Sequence, residues 1–198
     1  MNLPNKLTIF RIILVPLMVL IPWLGISGTV KGLDASRNGS LKVTGGNNFI
    51  RFGNGLGTAT LPIGDFVNES TGETRFQAKA YANSISITGK TILGTEASKK
   101  CELLQATTTI ELKGDVVNDY SDFELKTGTG YSITLGKTGS ATAQSITSRG
   151  KQTYTTDNVV LESDVVVTAN DGTDNKTVTF TKDISGGKNF ELNANAKF

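Results

Sequence analysis

The feature that most constrains this chain is a strict two-residue alternation of apolar and polar side chains, repeated in short segments from Gly28 onward. Thr177-Val-Thr-Phe-Thr181 places Val178 and Phe180 on one side and threonines on the other. Asn189–Asn193, Ser84–Thr88, Thr109–Lys113, Asp122–Lys126 and Ser132–Gly136 repeat the pattern. A period of two belongs to a strand with one buried face, and no segment after Gly28 carries a convincing helical period. Clusters such as Gly45-Gly-Asn-Asn48, Asn170–Asn175 and Gly186-Gly187 separate the segments and supply turn chemistry. Glu96–Gln105 is the only piece with helical character, read as one or two turns or a loop.

The alternating pairs recur. Ile110/Leu112, Phe123/Leu125 and Ile133/Leu135 follow one another after 13 and then 10 residues, and Val165/Val167, Val178/Phe180 and Phe190/Leu192 after 13 and then 12. Glu-Leu-Lys occurs at 111–113 and 124–126, and Ser-Ile-Thr at 86–88, 132–134 and 145–147. A unit of about a dozen residues with two inward side chains cannot fold alone, so stacking must bury the pairs as a ladder. The expectation is all-β: a right-handed parallel β-helix (solenoid) after an N-terminal hydrophobic helix. An antiparallel β-sandwich is the alternative. Roughly 170 residues at a little over 20 per coil predict ~7–8 coils, ~35 Å long.

Composition divides the chain in two. Residues 1–26 hold both methionines, Trp23, three of the four prolines and no acidic residue; Lys6 and Arg11 account for the whole net charge of +2. The apolar run Ile12–Ile26 is 15 residues long and follows this short basic region, the layout of a secretory signal. Gly25 and Ser27 stand at −3 and −1 of a cleavage before Gly28, and 19 uncharged residues up to Lys31 also suit a kinked anchor. Residues 1–27 are therefore expected to be a signal peptide or membrane anchor. Residues 28–198 form an exported solenoid-like domain at the cell surface or outside the cell, in contact with the membrane through 12–26. The chain stops directly after a good strand, at Ala196-Lys197-Phe198, so the domain is expected to be truncated or to self-associate through an uncapped C-terminal edge.

Chemistry-bearing side chains are few. With no histidine there is no imidazole triad or imidazole zinc site, and a single cysteine allows no intrachain disulfide. A neutral body carries no nucleic-acid footprint. Asn170–Asn175 and Asn118–Asp122 gather oxygen ligands suited to calcium, without the regular spacing or a closing glutamate. Gly53-Asn-Gly-Leu-Gly57 is read as a turn and not a phosphate loop. Lys99-Lys100 beside Cys101 is expected to lower its pKa. Asn38, Asn68 and Asn175 open glycosylation sequons, and no carboxylate pair stands out for sugar cleavage. The reading nominates no catalytic, cofactor-binding or metal-binding residue and no cofactor, and expects a non-enzymatic surface protein with a host or cell-surface ligand.

Two resemblances accompany these readings. Asn2-Leu-Pro-Asn-Lys-Leu-Thr-Ile-Phe-Arg11 followed by Pro16 resembles the N-terminus of phosphatidylglycerophosphate synthases of the CDP-alcohol phosphatidyltransferase family. It implies an interfacial helix leading into a membrane helix, and, as an alternative function, a fragment or fusion of a phospholipid-biosynthesis enzyme. That family's catalytic aspartate signature is missing: Asp171-Gly172 is followed by Thr173-Asp174-Asn175-Lys176, with no Ala-Arg. Asp157–Asn170, Lys176–Phe180 and Gly187–Asn195 resemble repeats of filamentous-haemagglutinin and autotransporter passenger proteins, which implies a right-handed parallel β-helix on a bacterial surface.

Overall fold

The computed structural model describes residues 39–47 and 49–197. The chain winds into a right-handed parallel β-solenoid of about six turns. Each rung contributes up to three short strands, one to each of three faces. The first face stacks β1 (Leu41–Val43), β3 (Ile63–Asn68), the second half of β5 (Ala80–Ile87), β8 (Ile110–Leu112), β11 (Ser132–Leu135), β14 (Asn158–Leu161) and β17 (Asp183–Ser185). The second stacks β2 (Ile50–Phe52), β4 (Thr74–Phe76), β6 (Thr91–Leu93), β9 (Val116–Asn118), β12 (Gln144–Ser148), β15 (Val165–Ala169) and β18 (Phe190–Asn193). The third stacks the first half of β5 with β7 (Leu103–Ala106), β10 (Phe123–Lys126), β13 (Gln152–Thr155), β16 (Thr177–Phe180) and β19 (Asn195–Lys197). β5 turns a corner without breaking: its Ala80–Ala82 pairs with β7 and its Ile85–Ile87 with β8.

Alternation decides what faces inward. Ile85, Ile110 and Ile133 stack in one interior column, and Ile87, Leu112 and Leu135 in the next, all without solvent exposure. Each such side chain contributes about 1.5–3 kcal/mol by leaving water. Aromatic clusters fill both ends. Phe52 stacks on Phe76 at 5.2 Å with Phe66 edge-on to both, and Tyr154 stacks on Phe180 at 4.7 Å. At one corner the backbones of successive rungs touch: a Cβ on Gly89 would lie 1.9 Å from the Gly72 carbonyl oxygen, and one on Gly114 2.5 Å from that of Gly89. Gln144 closes this glycine column, donating from Nε2 to the carbonyls of Leu112 and Gly114 at 2.8 and 2.6 Å.

The sandwich alternative is overturned, because every pairing between these strands is parallel. A hairpin reverses the chain, whereas a full circuit of these corners advances it by one rung and sets like columns above like. The expected ~7–8 coils become about six turns, ~29 Å long, because the rungs are longer than expected. Lys42, Val67, Ser86, Glu111, Thr134, Val160 and Ser185 occupy one outward column, at spacings of 19 to 26 residues. The dozen-residue unit is a step between faces. Ile110/Leu112 and Ile133/Leu135 share the first face, while Phe123/Leu125 lie on the third.

Glu96–Gln105 forms no helix. Glu96 and Lys99 close a tight turn through an antiparallel bridge, and Leu103 to Gln105 lie in β7. Leu104 is buried against Leu125, 21 positions away, and that lateral partner outweighs the local helical preference. The expected N-terminal hydrophobic helix falls on residues outside the described ones. No helix among the described residues is long and apolar enough to cross a membrane. In the last rung β17, β18 and β19 each pair on one side, and the inward Ile184, Phe190, Leu192 and Ala194 are only partly covered.

Candidate binding cleft beside the fifth rung

Corner lengths mark where the solenoid departs from regularity. Between the first and second faces the chain spends three residues after β8 and three after β14, but eight after β11, from Gly136 to Ala143. In stacked-repeat proteins such insertions gather on the binding face. The insertion leaves the coil at Gly136, whose φ of +88° suits glycine and whose Cβ would lie 2.2 Å from the Ser163 hydroxyl. It is held by its own hydrogen bonds: Ser140 N–H donates to the Lys137 carbonyl at 3.0 Å, and the Ser140 hydroxyl to that of Thr142 at 2.9 Å.

The insertion walls a cleft of about 370 Å³ lined by Glu111, Lys113, Thr134, Gly136, Lys137, Thr138 and Glu162. Glu111 and Thr134 form the floor as register partners on β8 and β11. Glu111 accepts from the Ser86 hydroxyl at 3.1 Å and pairs with the Lys113 ammonium at 3.3 Å. Glu162, just past β14, accepts from the Thr138 hydroxyl. Lys137 has no ion-pair partner among the described residues. The cleft thus presents two carboxylates, two hydroxyls and one unpaired ammonium, contributed by three successive rungs.

The loops singled out in the sequence have other roles. Asp171 Oδ1 accepts from the N–H groups of Thr173 and Asp174, both at 2.9 Å, and Oδ2 binds the Lys176 ammonium at 2.5 Å. These contacts, the Lys176 ammonium foremost, hold its carboxyl well below the ordinary range, so the loop's oxygen atoms that resemble calcium ligands are partnered within the chain. Asn118 is buried and caps its turn, accepting from Tyr120 and Ser121 N–H at 3.1 and 3.0 Å, while Asp122 accepts from Lys151 N–H at 2.7 Å. No group of three potential metal ligands occurs among the described residues. Gly53–Gly57 is a packed turn: a Cβ on Gly57 would lie 2.3 Å from the Tyr81 carbonyl.

Cys101 reverses its expectation. Burial pushes its thiol up to about 12, and Lys99 and Lys100 pair with Glu96 and Glu102 at 2.7 and 2.9 Å instead. Asn68 is buried and donates to Thr74 at 2.7 Å, so its sequon is closed to modification in the fold. Asn175 is exposed, and Asn38 lies outside the described residues. Sequence reading missed the cleft because its residues span 111 to 162 in three rungs. The usable signal was the long gap between Leu135 and Gln144.

Compared with known protein families, curated proteins and solved structures, the chain matches none of them. The passenger-protein resemblance holds at the level of architecture, a parallel β-solenoid.

Proposed function

We propose that the chain is a non-enzymatic, exported bacterial surface protein, a passenger-like solenoid that displays a binding face to a cell-surface or host ligand. The observation that carries this reading is the separation of its two sides. Inward columns build the core, and outward columns such as Lys42–Val67–Ser86–Glu111–Thr134–Val160–Ser185 are mostly polar and continuous with the cleft. The basic, apolar leader supports export, with 12–26 as the membrane contact.

Fractionation of the producing cells, with protease applied to intact cells, tests this reading. Surface cleavage of the full chain is expected; recovery of the whole chain from the cytosol overturns it. Membranes containing the chain are expected to convert no CDP-diacylglycerol and glycerol 3-phosphate, and turnover dependent on the chain restores the phosphatidyltransferase alternative.

A further inference from the structure

We infer that the cleft beside the fifth rung binds a carboxylate-bearing sugar chain, with Lys137 taking the sugar carboxylate and Glu111 and Glu162 taking sugar hydroxyls. The inference rests on the surface-display reading and names the class of ligand. Two linked observations carry it. The chain inserts five more residues at this corner than in the rungs on either side, and it braces the insertion internally through Ser140. The insertion borders an open cleft of about 370 Å³, within the range of small-molecule sites.

The lining selects the chemistry. It has no aromatic or aliphatic residue to receive a peptide's apolar anchor, and such anchors carry most of the affinity of peptide and protein contacts. Its side-chain polar atoms are four carboxylate oxygens, two ammonium nitrogens and two threonine hydroxyls, a mixed set that suits a ligand carrying both hydroxyls and an anion. Charge-assisted hydrogen bonds from hydroxyls to a carboxylate are the strong kind. Two of the other three long connections neutralise themselves, through Lys99–Glu96 at 2.7 Å and Lys176–Asp171 at 2.5 Å, and the third, residues 53–62, carries no charged residue. Lys113 is likewise held by Glu111 at 3.3 Å. Of the two cleft lysines, Lys137 is the one with no ion-pair partner among the described residues, and its ammonium is the group offered to an anionic ligand.

Calorimetry on the full chain with uronic-acid oligosaccharides, matched neutral oligosaccharides and an acidic peptide tests the inference. Uronic-acid oligosaccharides are expected to bind, and neutral ones about tenfold more weakly. Lys137→Ala should lower uronate affinity about tenfold and erase the preference for acid over neutral sugar. Glu162→Gln should weaken both sugars. Lys137 is exposed and Glu162 half-buried with its carboxylate outside the core, so both variants should melt close to the wild type. Amide NMR shifts of Thr134, Gly136 and Thr138 should move on titration, a readout independent of any variant. Absence of uronate binding, equal binding of neutral sugars, tighter binding of the acidic peptide, or shifts confined to another face each overturns the inference. An exported chain that binds no uronate sinks the inference and leaves the display reading standing. A cytosolic chain removes the display reading whatever the calorimetry gives.

Discussion

The phenolic O–H of Tyr154 donates to Oε1 of Gln152 at 2.8 Å, with neither residue exposed to solvent. Gln152 in turn donates from Nε2 to the Ser148 hydroxyl at 2.9 Å and the Thr168 carbonyl at 3.0 Å, and Ser148 donates to the Gly150 carbonyl at 2.7 Å. A polar chain thus runs through the core between the second and third faces, with its donors and acceptors paired. Tyr154→Phe leaves a buried amide oxygen without its donor, and should cost about 1–3 kcal/mol in urea unfolding. A loss below ~0.5 kcal/mol would mean that the hydroxyl is idle.

The glycine column sets a second expectation. Gly89→Ala drives a methyl group into the Gly72 carbonyl of the preceding rung, where the three nearest atoms are all backbone of Thr71 and Gly72 and no flexible side chain can yield. The fold should lose at least ~3 kcal/mol or fail to form, the range of severe overpacking. Gly39→Ala, where nothing lies within 4 Å, should change stability by less than ~0.5 kcal/mol and serves as the control.

Cys101 makes stability depend on alkaline pH. Its thiol is raised to about 12 in the fold by burial, from an ordinary value of 9.0. The unfolded chain therefore releases this proton first. Its contribution is complete below about pH 9 and is lost as pH rises toward 12, at up to ~1.4 kcal/mol per pH unit. Cys101→Ala should flatten the stability profile between about pH 9 and 10, before the buried Tyr154 begins to add the same sense of dependence. Ellman's reagent should leave the native thiol unmodified at about pH 8 and titrate it fully in denaturant.

The sixth-rung insertion should survive acid. Hydrogen bonds and the Lys176 ammonium hold the Asp171 carboxyl below its ordinary range, so the turn persists above that lowered value and opens only as pH falls through it. Amide exchange at Thr173 and Asp174, whose N–H groups donate to Asp171, should stay slow at about pH 3 in the wild type and quicken in Lys176→Ala. Equal exchange in both chains would refute the role of the ammonium.

Much of the core was readable from neighbouring residues alone. Phe123/Leu125, Ile133/Leu135 and Val178/Phe180 alternate with polar residues, and all six are buried. Only Phe190/Leu192 of the recurring pairs is less covered, since it lies in the last described rung. What stayed hidden depends on lateral neighbours. Gln152 reads as a surface residue in Gln-Thr-Tyr-Thr, yet it faces inward because Ser148, Tyr154 and the Thr168 carbonyl await it there. Leu103 and Leu104 read as helical until β10 lies alongside. The cleft needed Glu111, Thr134 and Glu162 to be stacked before any of them looked like part of a site.

The eight residues from Gly136 to Ala143 leave and rejoin the coil without disturbing the pairing of β11 with β14 or of β12 with β15. Loop and scaffold are therefore structurally separable. Sequence drift can lengthen, recharge or replace that excursion while the rungs above and below keep their alignment. The geometry of that corner can change while the stack that carries it stays the same.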